Sequence, residues 1–284
     1  MTTLRDKHKA GIFTITVELD PPKSASAQKT KEEASELKGI VDGINIADCP
    51  MANMRMSPIA LAHIIQIDSG IETIFHLTCR DRNSIGLQAE LLGAYGLGVH
   101  NILTLTGDNP TGGDTPQAMP VYEEDTCGLI RMAKSLNAGI DLNGNTLEEG
   151  TDFYIGAAAN PAAPDQKLEM EKLAHKVASG AGFIQTQPVY DLDVAKRFVE
   201  AAQQFNVPIL LGLLPLRGIK MARYMNSFVP GISISPTIMD RVEKGGVAAG
   251  LEIAREQYQV IRTFAAGVHI MPVGHIDAIA KILA

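Results

Sequence analysis

The chain has 284 residues, of which 45% are hydrophobic and 20% charged, a composition typical of a folded protein and unlike that of a disordered one. Lysine and arginine number 25 against 32 aspartates and glutamates, a net charge of −7, and no basic cluster favours a nucleic-acid partner. The polar start MTTLRDKHKA and the lack of a bilayer-length apolar run predict neither a signal peptide nor a membrane span, so we expect a cytoplasmic protein.

Three cysteines, Cys49, Cys79 and Cys127, are far apart in the sequence. They form no CxxC pair and no Cys/His spacing of the kind that binds zinc. A sparse, odd set of this kind is typical of a reducing compartment, and we interpret each cysteine as a small buried hydrophobic residue. The sequence therefore predicts neither a metal site nor a dithiol redox centre.

Eight short β-favouring runs follow one another along the chain. Each is rich in β-branched or aromatic residues, as strands usually are. In chain order the predicted strands are Phe13–Leu19, Gly43–Asp48, Thr73–Cys79, Asn101–Gly107, Phe153–Ala159, Phe183–Pro188, Pro208–Leu214 and Gly267–Val273. Helix-length segments separate them, and a last short helix is predicted over His275–Leu283.

The clearest helix pattern covers Gln166–Ser179. Its apolar residues recur at helical spacing, at Met170, Leu173, Ala174 and Val177. The polar residues Glu169, Lys172 and Lys176 share another face. For Glu169 and Lys172 this face is interpreted either as a solvated surface or as part of a ligand site.

Eight strand–helix units in a chain of this length predict an α/β fold, a (βα)8 TIM barrel that forms a single domain over residues 1–284. A doubly wound open sheet is the alternative. However, no GxGxxG motif follows the first strand, and the nearest glycine-rich stretch, Gly93–Gly98, has the wrong spacing. The irregular stretch Asn109–Pro120 is predicted to be a long loop after the fourth strand.

Polar residues interrupt several strands that should be apolar, and they keep a period of two, so those on one strand share a face. They are Thr14, Thr16 and Glu18; His76, Thr78 and Arg80; Thr104, Thr106 and Asp108; and Gln185 with Gln187. Burying such groups without partners costs several kcal/mol, so we expect them to meet a ligand, water or each other. They lie toward the carboxyl ends of their strands, where barrel active sites are built.

The ligand that this pattern predicts is large, planar and not purely anionic, because few cationic side chains accompany the polar groups. Arg80, Arg82 and Arg217 are the loop cations that we expect within reach of it. For any single residue a structural interpretation is available, since threonine is common in strands and a lone strand histidine is usually a core residue.

Four ordered blocks carry a resemblance to a known family. VELDPP with Glu18, FHLTC with His76, LTGDNP with Asp108 and QTQPVYD with Gln187 resemble methylenetetrahydrofolate reductase. Their order and spacing agree from the first strand to the sixth, and more weakly to the end of the chain.

This resemblance implies a TIM-barrel flavoenzyme of one-carbon metabolism. It would pass a hydride from NADH or NADPH through FAD to 5,10-methylenetetrahydrofolate and form 5-methyltetrahydrofolate. Glu18 would be the general acid that protonates the leaving nitrogen, with a pKa raised beside an apolar flavin. Asp108 would stabilise the cationic iminium and orient the pterin, unless it only forms an Asx turn. Gln187 would pair with the pterin edge, and Gln185 would support it.

The resemblance also assigns the positions that contact FAD. They are His76, Thr106, Gly107, Asp108, Tyr122, Ala159 and Asn160, together with Lys172, His175 and Lys176 on the helix after the fifth strand. Lys176 would lie near the pyrophosphate.

Three departures from the family pattern concern the flavin and folate contacts. Asn160 replaces a flavin-side tyrosine of some members, Ile219 stands near the expected folate-stacking aromatic residue, and HIMPVGHID lacks the arginine that some members aim at the folate tail. Two alternatives stay open: a pterin-binding barrel that transfers a methyl group without flavin, and a silent barrel subunit of an electron-transfer complex. A homo-oligomer and a partner protein as electron donor are left open as well.

Overall fold

In the computed structural model, which describes residues 2–229 and 231–284, eight strands form a closed barrel in chain order. The pairs β2–β3, β3–β4, β4–β5, β6–β7, β7–β8 and β1–β8 are parallel. The strands are β1 (Thr14–Leu19), β2 (Gly43–Ile46), β3 (Thr73–Thr78), β4 (Asn101–Leu105), β5 (Tyr154–Ala159), β6 (Phe183–Pro188), β7 (Ile209–Leu213) and β8 (Gly267–Ile270). The predicted (βα)8 TIM barrel is confirmed.

Helices alternate with these strands, and α1 precedes β1. They are α1 (Leu4–Lys9), α2 (Gln28–Glu36), α3 (Pro58–Ser69), α4 (Ser84–Gly96), α5 (Thr126–Asn137), α6 (Gln166–Ser179), α7 (Leu192–Ala202), α8 (Ile219–Phe228), α9 (Pro236–Ile261) and α10 (Asp277–Leu283). Short 3₁₀ segments lie at Pro50–Ala52, Pro110–Gly112 and Gln203–Phe205. Within the described residues, no helix has the length and apolar character that crossing a membrane requires.

All eight predicted strands are present, and the differences lie at their ends. Strand β7 begins one residue later than predicted, because Pro208 has no N–H to give to the ladder. Strand β4 stops at Leu105, before Gly107 takes a φ of 93°. Strand β8 stops at Ile270, and Pro272 and the positive φ of Val273 then turn the chain. Turn geometry thus sets the ends of these three strands.

The chain divides into two compact units. The first consists of Met1–Val17, Ala158–Ala174 and Ile184–Ala284, and the second of Glu18–Ala157 and His175–Phe183. In the first, Leu216, Met225 and Ile253 belong to a buried apolar cluster around α8 and α9. In the second, aromatic rings pack edge to face, as Phe75 does on Phe153 with 6.2 Å between centroids. The single domain over residues 1–284 stays a prediction.

The segment that links β4 to α5 is attached to the end of β3 at both of its ends. The Leu105 carbonyl accepts a hydrogen bond from the Cys79 N–H at 3.2 Å. On the return, the N–H groups of Val121 and Tyr122 donate to the carbonyls of Arg80 and Cys79, at 2.7 and 3.1 Å. The predicted long loop Asn109–Pro120 therefore lies between two fixed points, with one 3₁₀ turn at Pro110–Gly112 inside it.

Candidate functional site

Glu18, near the carboxyl end of β1, lies beside a histidine of β3. The Glu18 side chain is 25% exposed, and its Oε2 lies 4.0 Å from Nε2 of the buried His76. The Asn45 side-chain amide nitrogen is 2.9 Å from the same Nε2. Asn45 and Glu18 thus contact the same ring nitrogen of His76, and the Asn45 contact fixes the orientation of the imidazole beside the Glu18 carboxyl.

Asp108 lies just beyond β4 in a tightly packed turn. Gly107 before it has a φ of 93°, and a Cβ at that position would lie 2.9 Å from the Cβ atoms of Thr78 and Arg80. Only glycine fits both the left-handed backbone and this close approach. The Tyr122 hydroxyl shares its proton between the carbonyl oxygens of Gly107 and Asp108, at 3.2 Å each. Three of the positions expected to contact FAD are thus in mutual contact.

The Asp108 side chain is exposed and has one protein partner. Its Oδ2 accepts from the backbone N–H of Met51 at 2.9 Å, whereas its Oδ1 accepts no hydrogen bond from the described residues. The Asx turn in this segment is formed by the next residue, because Asn109 Oδ1 accepts from the Thr111 N–H at 3.0 Å. Asp108 therefore presents one carboxylate oxygen outward.

A cavity of about 460 Å³ lies beside this turn. It is lined by Thr106, Tyr122, Glu123, Glu124, Asp125 and Arg131. Two of the carboxylates serve the fold, since Asp125 caps α5 through the Gly128 N–H and Glu123 accepts from the Ser84 N–H. The Tyr122 hydroxyl donates to the carbonyls of Gly107 and Asp108, and the Thr106 hydroxyl bonds that of Thr126. The Glu124 carboxylate and the Arg131 guanidinium are therefore the main groups that this lining offers to a polar ligand.

The interior of the first unit contains a chain of polar side chains from three strands. The Gln185 amide donates to the Thr16 hydroxyl at 3.0 Å, and that hydroxyl lies 3.0 Å from Nδ1 of His269. All three residues are buried. The Thr16 hydroxyl thus connects Gln185 of β6 to His269 of β8. Gln185 thus helps to satisfy buried polar groups of the barrel interior.

Gln187, two residues further along β6, is exposed where Gln185 is buried. Its side-chain amide has no hydrogen-bond partner among residues 2–229 and 231–284. An exposed amide at the end of a barrel strand is available to a ligand.

Glu169 of α6 is buried and has a structural role. Glu169 is 7% exposed, and its Oε1 accepts from the Asn160 N–H at 2.8 Å, next to the buried Ala159 that ends β5. The interpretation of Glu169 as a solvated surface residue is therefore wrong, because its carboxylate accepts a backbone N–H of the turn between β5 and α6. Lys172 and His175 are exposed on the same helix, and Lys176 is half-buried.

Two of the three arginines expected within reach of a ligand, Arg80 and Arg82, form ion pairs with carboxylates of the protein. The Arg80 side chain is 3% exposed and binds both carboxylate oxygens of Asp81, at 2.8 and 2.7 Å. The hydrogen bond to Asp81 raises the pKa of Arg80. Arg82 binds the buried Asp48 at 2.8 Å. Both guanidinium groups thus have a carboxylate partner within the protein, and their reach toward a ligand stays a prediction. Arg217, by contrast, is exposed, and it donates to the Val273 carbonyl.

Sequence reasoning missed Asn45, which lies between Ile44 and Ile46 in a strand with every residue buried. The sequence signal that could have revealed it is a single amide residue within an apolar run. A buried amide needs a hydrogen-bond partner, and His76 is that partner.

Comparisons with known proteins agree with the resemblance. The family model for methylenetetrahydrofolate reductase matches residues 3–284. Methylenetetrahydrofolate reductase 1 of Schizosaccharomyces pombe is 31% identical over 181 residues, which cover 60% of this chain and 28% of that protein. The 5,10-methylenetetrahydrofolate reductase of Salmonella typhimurium is 26% identical over 227 residues, 75% of this chain and 68% of that protein. The chain spans 28% and 25% of the length of the Schizosaccharomyces pombe and Caenorhabditis elegans relatives that it matches.

A solved structure resembles the fold over almost its full length. It is an uncharacterized protein from Clostridium thermocellum that binds two copies of 5-methyl-5,6,7,8-tetrahydrofolic acid, with a TM-score of 0.70 and 18% identity. The alignment covers 98% of this chain and 97% of that one, which supports the barrel. Because the family model matches nearly every residue, the chain belongs to the methylenetetrahydrofolate reductase family.

Proposed function

We propose that the protein reduces 5,10-methylenetetrahydrofolate to 5-methyltetrahydrofolate with FAD as cofactor and NADH or NADPH as donor. The observation that carries this proposal is the Glu18 carboxyl near the end of β1, 4.0 Å from a buried histidine that the Asn45 amide contacts. It occurs in a chain of the methylenetetrahydrofolate reductase family.

Glu18 is proposed as the general acid. The five-membered ring of the substrate opens to an iminium cation when its leaving nitrogen is protonated, and a half-buried carboxyl group can supply that proton directly or through one water. His76 is proposed to support this role by holding the position of the Glu18 carboxyl. The hydride then adds to the iminium carbon, which becomes the methyl group.

Asp108 and Gln187 are proposed to bind the folate. The outward oxygen of Asp108 would stabilise the positive charge that develops on the iminium. The exposed amide of Gln187 offers one acceptor and two donors, which match the amide-like edge of a pterin. Gln185 is proposed to act indirectly, by fixing the polar interior beneath Gln187.

The residues at the proposed cofactor positions fit a dinucleotide. The Gly107 backbone comes close to its neighbours without a side chain, and Thr106 and Tyr122 line the 460 Å³ cavity. Within it Glu124 suits ribose hydroxyls, while Arg131 and, on α6, Lys176 are the cations proposed for the diphosphate. His76, Asn160, Ala159, Lys172 and His175 complete the proposed contacts. FAD would supply the two-electron chemistry that carries the hydride from nicotinamide to folate.

The test uses the purified chain reconstituted with FAD. We expect a flavin spectrum that NADH or NADPH bleaches and that 5,10-methylenetetrahydrofolate restores. Glu18→Gln should abolish the restoration and leave the bleaching nearly intact, whereas Glu36→Gln, at an exposed position of α2, should change neither. A preparation that takes up no FAD would overturn the flavoenzyme, and equal loss of both half-reactions in Glu18→Gln would overturn the acid role.

A second candidate is a folate-binding barrel subunit without nicotinamide-dependent activity of its own. It is favoured by the Clostridium thermocellum protein, which binds 5-methyl-5,6,7,8-tetrahydrofolic acid and whose fold matches 98% of this chain. Binding of 5-methyltetrahydrofolate by a colourless chain, or bleaching only with an added partner protein, would support this candidate over the first.

A further inference from the structure

A second cavity, of about 500 Å³, lies in the first unit between α6 and α7. Val194, Arg197, Phe198 and Ala201 line it from α7, where they recur at i, i+3, i+4 and i+7 and so form one stripe. Met170 lines it from α6, and the turn after β6 closes one side. Neighbouring barrel helices usually pack such stripes against each other at 8–10 Å, but here the space between them is open.

The cavity has the size and lining of a small-molecule site. Its volume falls within the roughly 300–1,000 Å³ that such sites occupy. Its walls are mainly apolar, and the accessible apolar surface comes from the partly exposed Met170 and Val194 and the exposed Ala201, with the buried Phe198 behind them. None of the residues that line it belongs to the proposed folate or FAD positions.

One cation gives the cavity a chemical preference. Arg197 is exposed at its edge and has no ion-pair or hydrogen-bond partner in the part of the chain that the structure describes. The Gln166 amide is already used, because it donates to the carbonyls of Pro161 and Ala163. The Asp191 carboxylate caps α7 through the N–H groups of Asp193 and Val194, and it disfavours a second negative charge on a ligand.

We infer that this cavity binds a small monocarboxylic acid with a hydrophobic body. The carboxylate pairs with the Arg197 guanidinium, which matches its geometry with two parallel donors. The hydrophobic body lies along Val194, Met170 and Ala201. The Ser233 hydroxyl at the edge is a further donor to the carboxylate. The site is independent of the proposed reductase reaction.

The experiment measures binding of 4-phenylbutyrate and of its neutral counterpart 4-phenylbutan-1-ol by calorimetry on the full chain. We expect the acid to bind at least tenfold more tightly than the alcohol. Arg197→Gln should remove this preference and leave the alcohol affinity unchanged. Arg255→Gln, an exposed arginine of α9 that does not line the cavity, should bind both probes as the wild type does.

Two further variants test the location. Ala201→Phe and Ser233→Phe, both at exposed positions, should block both probes while unfolding at the wild-type temperature. Glu18→Gln should bind 4-phenylbutyrate normally, which separates this site from the proposed reaction. An acid preference that survives Arg197→Gln, displacement of the probe by 5-methyltetrahydrofolate, or no binding of either probe would overturn the inference.

Discussion

The backbone N–H of Met51 donates a hydrogen bond to Oδ2 of Asp108 at 2.9 Å, and this bond connects the turn after β2 to the turn after β4. Cys49, Met51 and Ala52 in the first turn all have a positive φ, between 47° and 55°. Such conformations cost of the order of 1–3 kcal/mol each and persist where neighbouring groups hold them. Asp108 is therefore part of the support of a strained turn, in addition to its proposed role toward folate.

Substitution at Asp108 can separate these two roles. Asp108→Asn keeps an acceptor for the Met51 N–H, so its free energy of unfolding in urea should stay within about 0.5 kcal/mol of wild type, whereas Asp108→Ala should lose about 1 kcal/mol. Both variants should reduce folate at least tenfold more slowly, because both remove the charge. Full folate reduction by Asp108→Asn would contradict the electrostatic role.

Gly107 and Gly39 form a matched pair for testing the tight turn. Both have a positive φ, 93° and 78°, but an added Cβ would meet Thr78 and Arg80 at 2.9 Å in one case and nothing within 4 Å in the other. Each alanine variant carries the left-handed backbone cost of about 1–2 kcal/mol. Gly107→Ala should lower the free energy of unfolding by at least about 1 kcal/mol more than Gly39→Ala, since steric overlap adds to that cost. Equal effects in urea titrations would show that the turn relaxes.

The buried carboxylate of α6 predicts a contrast within one helix. Glu169→Ala leaves the Asn160 N–H without its acceptor and should lower the free energy of unfolding by about 1–3 kcal/mol. Lys172→Ala, three residues away and exposed, should change it by less than about 0.5 kcal/mol. Thermal and urea unfolding of the two variants measure this contrast, and a silent Glu169→Ala would mean that water replaces the carboxylate.

Burial raises the pKa of the Cys79 thiol to about 12 from an ordinary value of 9.0, and the side chain has no exposed surface. Well below pH 9.0 the thiol is neutral in both states, so it adds little pH dependence there. Between pH 9.0 and 12 the unfolded chain loses this proton and the folded chain keeps it, so the free energy of unfolding falls as pH rises.

The stability difference between wild type and Cys79→Ala should therefore be smaller at pH 10 than at pH 8, by about 1 kcal/mol. Urea titrations of both proteins at the two pH values measure it. A difference that stays constant with pH would mean that Cys79 ionises as readily in the folded state as in the unfolded one.

The barrel could be predicted from the sequence because each strand carries its own β-branched run, and such runs are local. The charge pairing could not be predicted, because nothing in the sequence indicates that Asp81 binds Arg80 or that Asp48 binds Arg82. The burial of Glu169 could not be predicted for a similar reason, since its partner is a backbone N–H of the preceding turn. The roles of Glu18, Asp108 and Gln187 in folate reduction stay predictions.

The segment between β4 and α5 leaves and rejoins the barrel at one place, because Cys79 and Arg80 hold both of its ends. Between these two ends the Met54 N–H donates to Asp114 Oδ1 at 3.0 Å, so the loop also rests on the segment after β2. The turn that Asp108 supports is thus held from two sides. A change in the length of residues 109–120 would therefore disturb that turn as well as the loop itself.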